Sequence, residues 1–138
     1  MPSEEQGMYA STPRSLAAIA LLALLLPGCS GWTLDYGKEA AHAEAKDAAV
    51  IAQRHLGEKI VVRGAVASVD ISNAEDCVVR LEGLVVARFG DLKAMAEELQ
   101  VGEVITIMGL VESVDAGVVI LDPAARRDPF APFEPKKP

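Results

Sequence analysis

Aromatic side chains are scarce: three Phe, two Tyr and one Trp in 138 residues. Single-stranded nucleic acid is usually held on such rings, so few platforms are on offer. Basic residues are the minority charge, 13 against 20 acidic, for a formal net charge of −7. A net-acidic surface repels phosphate backbones unless a local basic stripe compensates. The expectation is therefore that nucleic acid is not a partner. Cysteine occurs only as Cys29 and Cys77, which could form one disulfide at most. No uninterrupted apolar run reaches the roughly 20 residues that a membrane-crossing helix needs. His42 and His55 are the only histidines, and they fit neither a metal-ligand nor a triad pattern. No Gly-rich phosphate loop or nucleophile elbow occurs. The expectation is a non-enzymatic protein with no catalytic residue, no metal and no cofactor.

What the chain does have begins with a targeting segment. Residues 16–26 are uncharged and apolar, and Arg14 precedes them. Eleven residues are too short to cross a bilayer but suit the apolar centre of a secretory signal. Glu4 and Glu5 are unusual in such a leader, and Met8 would begin a more regular one. Small residues follow, in the string Leu26-Pro27-Gly28-Cys29-Ser30. That string resembles the lipobox of bacterial lipoproteins. The resemblance implies cleavage before Cys29 and transfer of a diacylglycerol group to its thiol. Two or three acyl chains anchor firmly, because each buried methylene contributes about 0.8 kcal/mol. Ser30 then resembles an outer-membrane address, on the periplasmic face of a cell with two membranes. On this reading residues 1–28 are a signal peptide, residues 29–37 a tether, and Cys77 has no partner and sits as a small core residue.

The rest divides by periodicity. Residues 38–56 are alanine-rich, and Ala41, Ala45, Ala48, Ala52 and Leu56 recur at helical spacing, which predicts an N-terminal helix stopped by Gly57. From Gly57 the period becomes two. Ile60, Val62, Gly64 and Val66 share one face of a first strand, and the step to Val69 implies a bulge. Strands are expected at Cys77–Glu82, Leu84–Phe89, Glu103–Glu112 and Val118–Asp122. A short helix capped by Asp91 lies between the third and fourth, and Asp115-Ala116-Gly117 is a hairpin turn. Residues 123–138 hold five prolines and are expected to be irregular.

Residues 57–70 and 102–115 echo one another, with eight of 14 positions identical, the central Gly64 and Gly109 among them. Both halves therefore solve one problem, a long strand bent around a small barrel. The order of three strands, helix and two strands is that of a five-stranded Greek-key OB barrel, here spanning 57–122. With the preceding helix and the lipobox, the chain resembles the tRNA-anticodon-like OB-fold family of bacterial lipoproteins. The motifs are Gly-Glu-Lys-Ile-Val-Val-Arg-Gly at 57–64 and Val-Gly-Glu-Val-Ile-Thr-Ile-Met-Gly at 101–109. They are architectural, and the family's function is generally unassigned, so the resemblance implies a fold and no chemistry.

Two surface readings follow. Arg63, Arg80 and Arg88 fall on outward positions of strands one to three. They form either a patch for an acidic peptide or lipid headgroup, or solvated arginines paired with Glu82 and Glu112. Asp70, Asn73, Glu75, Asp76 and Asp115 lie in two loops and supply oxygens for a cation, though their spacing matches no known calcium loop. Residues 57–122 carry five basic and 12 acidic groups, with Phe89 as their only aromatic. The leading expectation is a lipid-anchored binding module of the bacterial envelope that engages a protein or peptide. The alternative is a small-ligand or cation binder using the acidic loops. A hydrolase would have to join His42 or His55 to a nucleophile.

Overall fold

The computed structural model describes residues 38–138. The expected signal peptide, Cys29 and the expected tether lie outside the described residues. Within them the chain forms β1 (Ala41–Glu44), a 3-10 turn (Ala45–Asp47), α1 (Ala48–Gln53), β2 (Lys59–Asp70), β3 (Cys77–Leu81), β4 (Val85–Gly90), α2 (Lys93–Glu97), β5 (Val104–Asp115) and β6 (Val118–Arg126). Strand order is β1-β2-β3-β4-β6-β5, and β2 pairs with β5 to close a five-stranded barrel. The β1–β2 and β4–β6 pairs are parallel and the others antiparallel. This is the OB barrel that the strand order predicts.

The alternating residues fill it. Val62, Val66, Val79, Val85, Ala87, Ile107, Val111, Val119 and Leu121 are almost wholly buried, with Phe89 beside them. Each strand turns one face inward, and the apolar area removed from water there, about 25 cal/mol per Å², is the main stabilising contribution. Cys77 is buried too, its thiol directed at the carbonyls of Asn73 and Ala74 at 3.6 and 3.7 Å.

The helix ahead of the barrel is present but shorter than its alanine content suggests. Only Ala48–Gln53 is α-helical, and Ala41–Glu44 is instead a strand running parallel to β2. Alanine's preference is worth a few tenths of a kcal/mol per residue. Pairing with an open sheet edge, which buries Ala41 and Ala43 completely or nearly so, outweighs it. α2 also departs from expectation, since it begins after Leu92 and no side chain caps it, so Asp91 is not its cap. Ala96 and Leu99 are its buried contacts.

The far end of the barrel extends beyond residue 122. β6 continues through Arg126, with Ala124 and Ala125 buried against β5. The remaining tail is irregular yet fastened. Arg127 is 9% exposed, donates to the Pro132 carbonyl at 2.8 Å and pairs with Glu39 at 3.6 Å. The Glu134 amide donates to His42 Nδ1 at 2.9 Å and the Lys136 amide to the His42 carbonyl at 2.8 Å. Phe133 stacks on the His42 ring at 5.7 Å and lies under the Arg63 guanidinium at 4.2 Å. The tail thus covers the open edge of β1, a strand edge that would otherwise offer unpaired backbone groups.

Candidate binding face

The outer surface of β3, β4 and β6 is built from apolar side chains at positions that alternation would give to solvent. Val78, Val86, Val118 and Ile120 are half-buried there, and Val86 stands beside Ile120 across the parallel β4–β6 pair. At one end of this surface is a hollow of ≈ 470 Å³, lined by Ala67, Arg80, Leu84, Val86 and Val118 among others. Leu84 forms its lip. It is 59% exposed and holds a φ of 66°. A leucine in that left-handed region is strained, and strain of this kind concentrates where binding is done. Its Cδ1 faces Gly117 of the β5–β6 hairpin. That hairpin is a two-residue turn with positive φ at Ala116 and Gly117, as a type I′ connection requires.

The three arginines do not gather at one place. Arg80 and Arg88 share the outer face of β3 and β4, one diagonal apart, since Val78 pairs with Arg88 and Arg80 with Val86. Arg63 stands five residues up β2 from Ser68, the partner of Arg80, roughly 16 Å along the strand. Its Nε donates to Thr106 Oγ1 at 3.3 Å, and its charge rests on Phe133. Arg88 is occupied by Asp76 at 3.1 Å and Asp122 at 3.7 Å. The hydrogen bond that Arg88 donates to Asp76, foremost, raises its pKa. Neither Glu82 nor Glu112 is the ion-pair partner of these arginines; the loop supplies Asp76 in their stead. Of these three arginines Arg80 is the exposed one that forms no ion pair; its charge helps to lower the Asp70 pKa, and it lines the hollow.

The acidic loop is organised by its own hydrogen bonds. Asp70 accepts from the Ser72 hydroxyl at 2.7 Å and amide at 3.0 Å, and the hydroxyl bond, foremost, lowers its pKa. Asn73 Oδ1 accepts from the Glu75 amide. Among the described residues no three carboxylate, imidazole or thiol groups converge as a metal site. Both histidines are half-buried. His42 is on β1 under the tail, and His55 Nδ1 meets Glu58 at 2.7 Å.

Sequence reasoning missed the hollow. The available signal was the loss of alternation at Leu84-Val85-Val86 and Val118-Val119-Ile120-Leu121. Continuous apolar runs mark strands whose two faces both meet something other than bulk water.

Comparison with protein-family models and with curated proteins gives no match. Solved structures of similar shape exist. A Klebsiella pneumoniae protein described as a "putative nucleic acid-binding lipoprotein" is 24% identical, with a TM-score of 0.44 over 61% of this chain and 79% of that one. An OBody bound to hen egg-white lysozyme is 21% identical, with a TM-score of 0.42 over 59% and 86%. The S. pombe Stn1-Ten1 complex is 22% identical, with a TM-score of 0.35 over 51% and 60%. These likenesses concern the fold. They also correct the expectation that excluded nucleic acid. One of these neighbours is described as nucleic acid-binding, so the exclusion of nucleic acid is withdrawn.

Proposed function

We propose that this chain is a lipid-anchored, non-enzymatic binding module of the bacterial envelope. It takes an extended segment of a protein partner across β3, β4 and β6. An apolar side chain of the partner enters the hollow beside Leu84, and a carboxylate of the same segment meets Arg80. The observation that carries this reading is the meeting, at one largely apolar hollow, of a strained, exposed leucine and an exposed arginine that forms no ion pair. Apolar anchors surrounded by a polar rim hold most of the energy in protein interfaces. Cys29 is the proposed lipid attachment, and the periplasmic face of an outer membrane the proposed location.

In-cell cross-linking followed by mass spectrometry tests it. The full chain should capture a dominant protein partner. Arg80→Glu and Leu84→Asp should lose it, while Lys93→Glu, on α2, should keep it. Capture of a nuclease-sensitive adduct through the same face would replace the protein partner with a nucleic acid. Retention of the partner by both face variants would sink the assignment. Cys29→Ser should release the chain from the membrane fraction; a chain that stays there would refute the lipid anchor.

A further inference from the structure

The tail carries an aromatic that the fold does not use. Phe130 is 93% exposed, although it lies in a turn that is firmly braced. Its amide donates to Asp128 Oδ1 at 2.9 Å, and the Ala131 amide donates to the Asp128 carbonyl at 3.1 Å. Pro129 stands between them, fixing φ where the turn needs it. On one side of the turn Arg127 is buried and grips Pro132, and on the other Phe133 is stacked on His42. A phenylalanine in a loose tail presents many conformations. The backbone that bears this one is braced by those bonds, so less chain entropy remains to be lost when a contact forms.

The segment Asp128-Pro129-Phe130 has a carboxylate and, two residues on, an apolar side chain. That is the chemistry proposed above for the occupant of the hollow beside Arg80. The sizes agree, since a cavity of about 150 Å³ admits a benzene ring and the hollow measures ≈ 470 Å³. Glu82 is on its rim as well, so an incoming carboxylate has to approach from the Arg80 side. The turn cannot serve its own hollow. It lies by β1 and β5, where the Arg127 amide is bonded to Thr106 and Phe133 covers Arg63, whereas the hollow lies on β3, β4 and the start of β6.

We infer that Phe130 of one copy docks into the hollow of a second copy, with Asp128 meeting Arg80. The inference rests on the binding-face reading and names one occupant of that face. The contact is head-to-tail, so each pair keeps one free turn and one free hollow and extends unless a ring closes. The tether would favour this by concentrating copies on one surface.

The test uses the full chain purified in detergent, with Phe130→benzoylphenylalanine as a photo-cross-linker. Adducts should join two copies and map to the strands bearing Leu84, Val86 and Val118. Arg80→Glu added to the same chain should weaken capture roughly thirty-fold. A complementation experiment reads the geometry directly. Tagged copies carrying Phe130→Ala should not pair with one another, and neither should copies carrying Arg80→Glu. Mixed, they should form a heterodimer, since one supplies an intact hollow and the other an intact turn. Adducts elsewhere on the chain, a chain monomeric at every concentration, or Phe130→Ala copies that pair as well as the natural chain would overturn the inference. If the face still captures a partner protein while copies fail to pair, only the self-contact is lost. If both fail, the binding-face reading fails with it.

Discussion

The two halves of the barrel are variations on one hairpin, and their differences mark where the molecule does something specific. β2 and β5 pair with Val62 opposite Ile107, which are also equivalent positions of the echo. A local twofold axis therefore passes through that pair. It exchanges Ile60 opposite Gly109 with Ile105 opposite Gly64. It also relates β3 to β6, since Val66 and Ser68 meet Leu81 and Arg80 across a bulge, and Val111 and Ser113 meet Leu121 and Ile120 across another. Val78-Val79-Arg80-Leu81 thus answers Val118-Val119-Ile120-Leu121. The halves diverge at three places. One has an acidic six-residue loop where the other has a two-residue turn. One has Arg80 where the other has Ile120. Gly64 is covered by the 3-10 turn, with Ala45 Cβ only 2.6 Å from where a side chain would start, whereas Gly109 is covered by the continuation of β6.

That last difference predicts the largest effect. A methyl at Gly109 would meet Leu121 Cβ at 2.8 Å, the Pro123 carbonyl at 3.0 Å and Ala124 Cβ at 3.1 Å, all parts of a barrel strand. Gly109→Ala should cost about 3 kcal/mol by urea unfolding, at the upper end for overpacking, and Gly64→Ala about 1 kcal/mol, because a peripheral 3-10 turn yields more easily. Equal costs would show that the two covers are equally rigid. Next comes the tail, whose aromatic Phe133 lies on the first half, against His42 and Arg63. Phe133→Ala loses ring stacking and a cation–π contact and should cost about 1.5 kcal/mol. Hydrogen exchange at the Glu134 and Lys136 amides should quicken while the barrel amides stay protected; unchanged exchange would refute the fastening. Making the halves alike with Arg80→Ile should alter stability by less than about 0.5 kcal/mol and abolish partner capture. The smallest effect concerns Asp70. Its folded pKa lies below the ordinary 3.8, so its contribution to stability is present above that value and is lost as pH falls through the folded pKa. A carboxyl NMR titration should place its midpoint below 3.8, and Ser72→Ala should raise it; a midpoint unmoved by that substitution would refute the role of the hydroxyl.

Much of the barrel was legible because its code is local. Period two with a step of three at Val66 to Val69 is a bulged strand in any setting, and the bulge is there between Val66 and Ser68. The alanine-rich stretch misled for the opposite reason. Ala41–Glu44 becomes a strand only because β2 presents an edge to it, and no window around residue 41 contains that edge. The site was hidden in the same way. Outward register placed Arg63, Arg80 and Arg88 on strands one to three, but which of them would be neutralised depended on loop and tail residues far along the chain: Asp76 and Asp122 for Arg88, and Phe133, 70 positions away, for Arg63. Leu84 could be read as the start of a strand, whereas its backbone strain has no sequence signature of its own.

The clasp between Arg127 and Glu39 has a mechanical consequence. A load drawn through residue 38 enters the domain at β1, a strand of four residues held to β2 and crossed by the tail. Before that load reaches the barrel it must part Glu39 from Arg127, strip Lys136 from the His42 carbonyl and peel Ala40 from Lys59. These are single peripheral bonds, whereas the closed sheet behind them is held by whole ladders, so a pull on residue 38 should part the strap before the barrel.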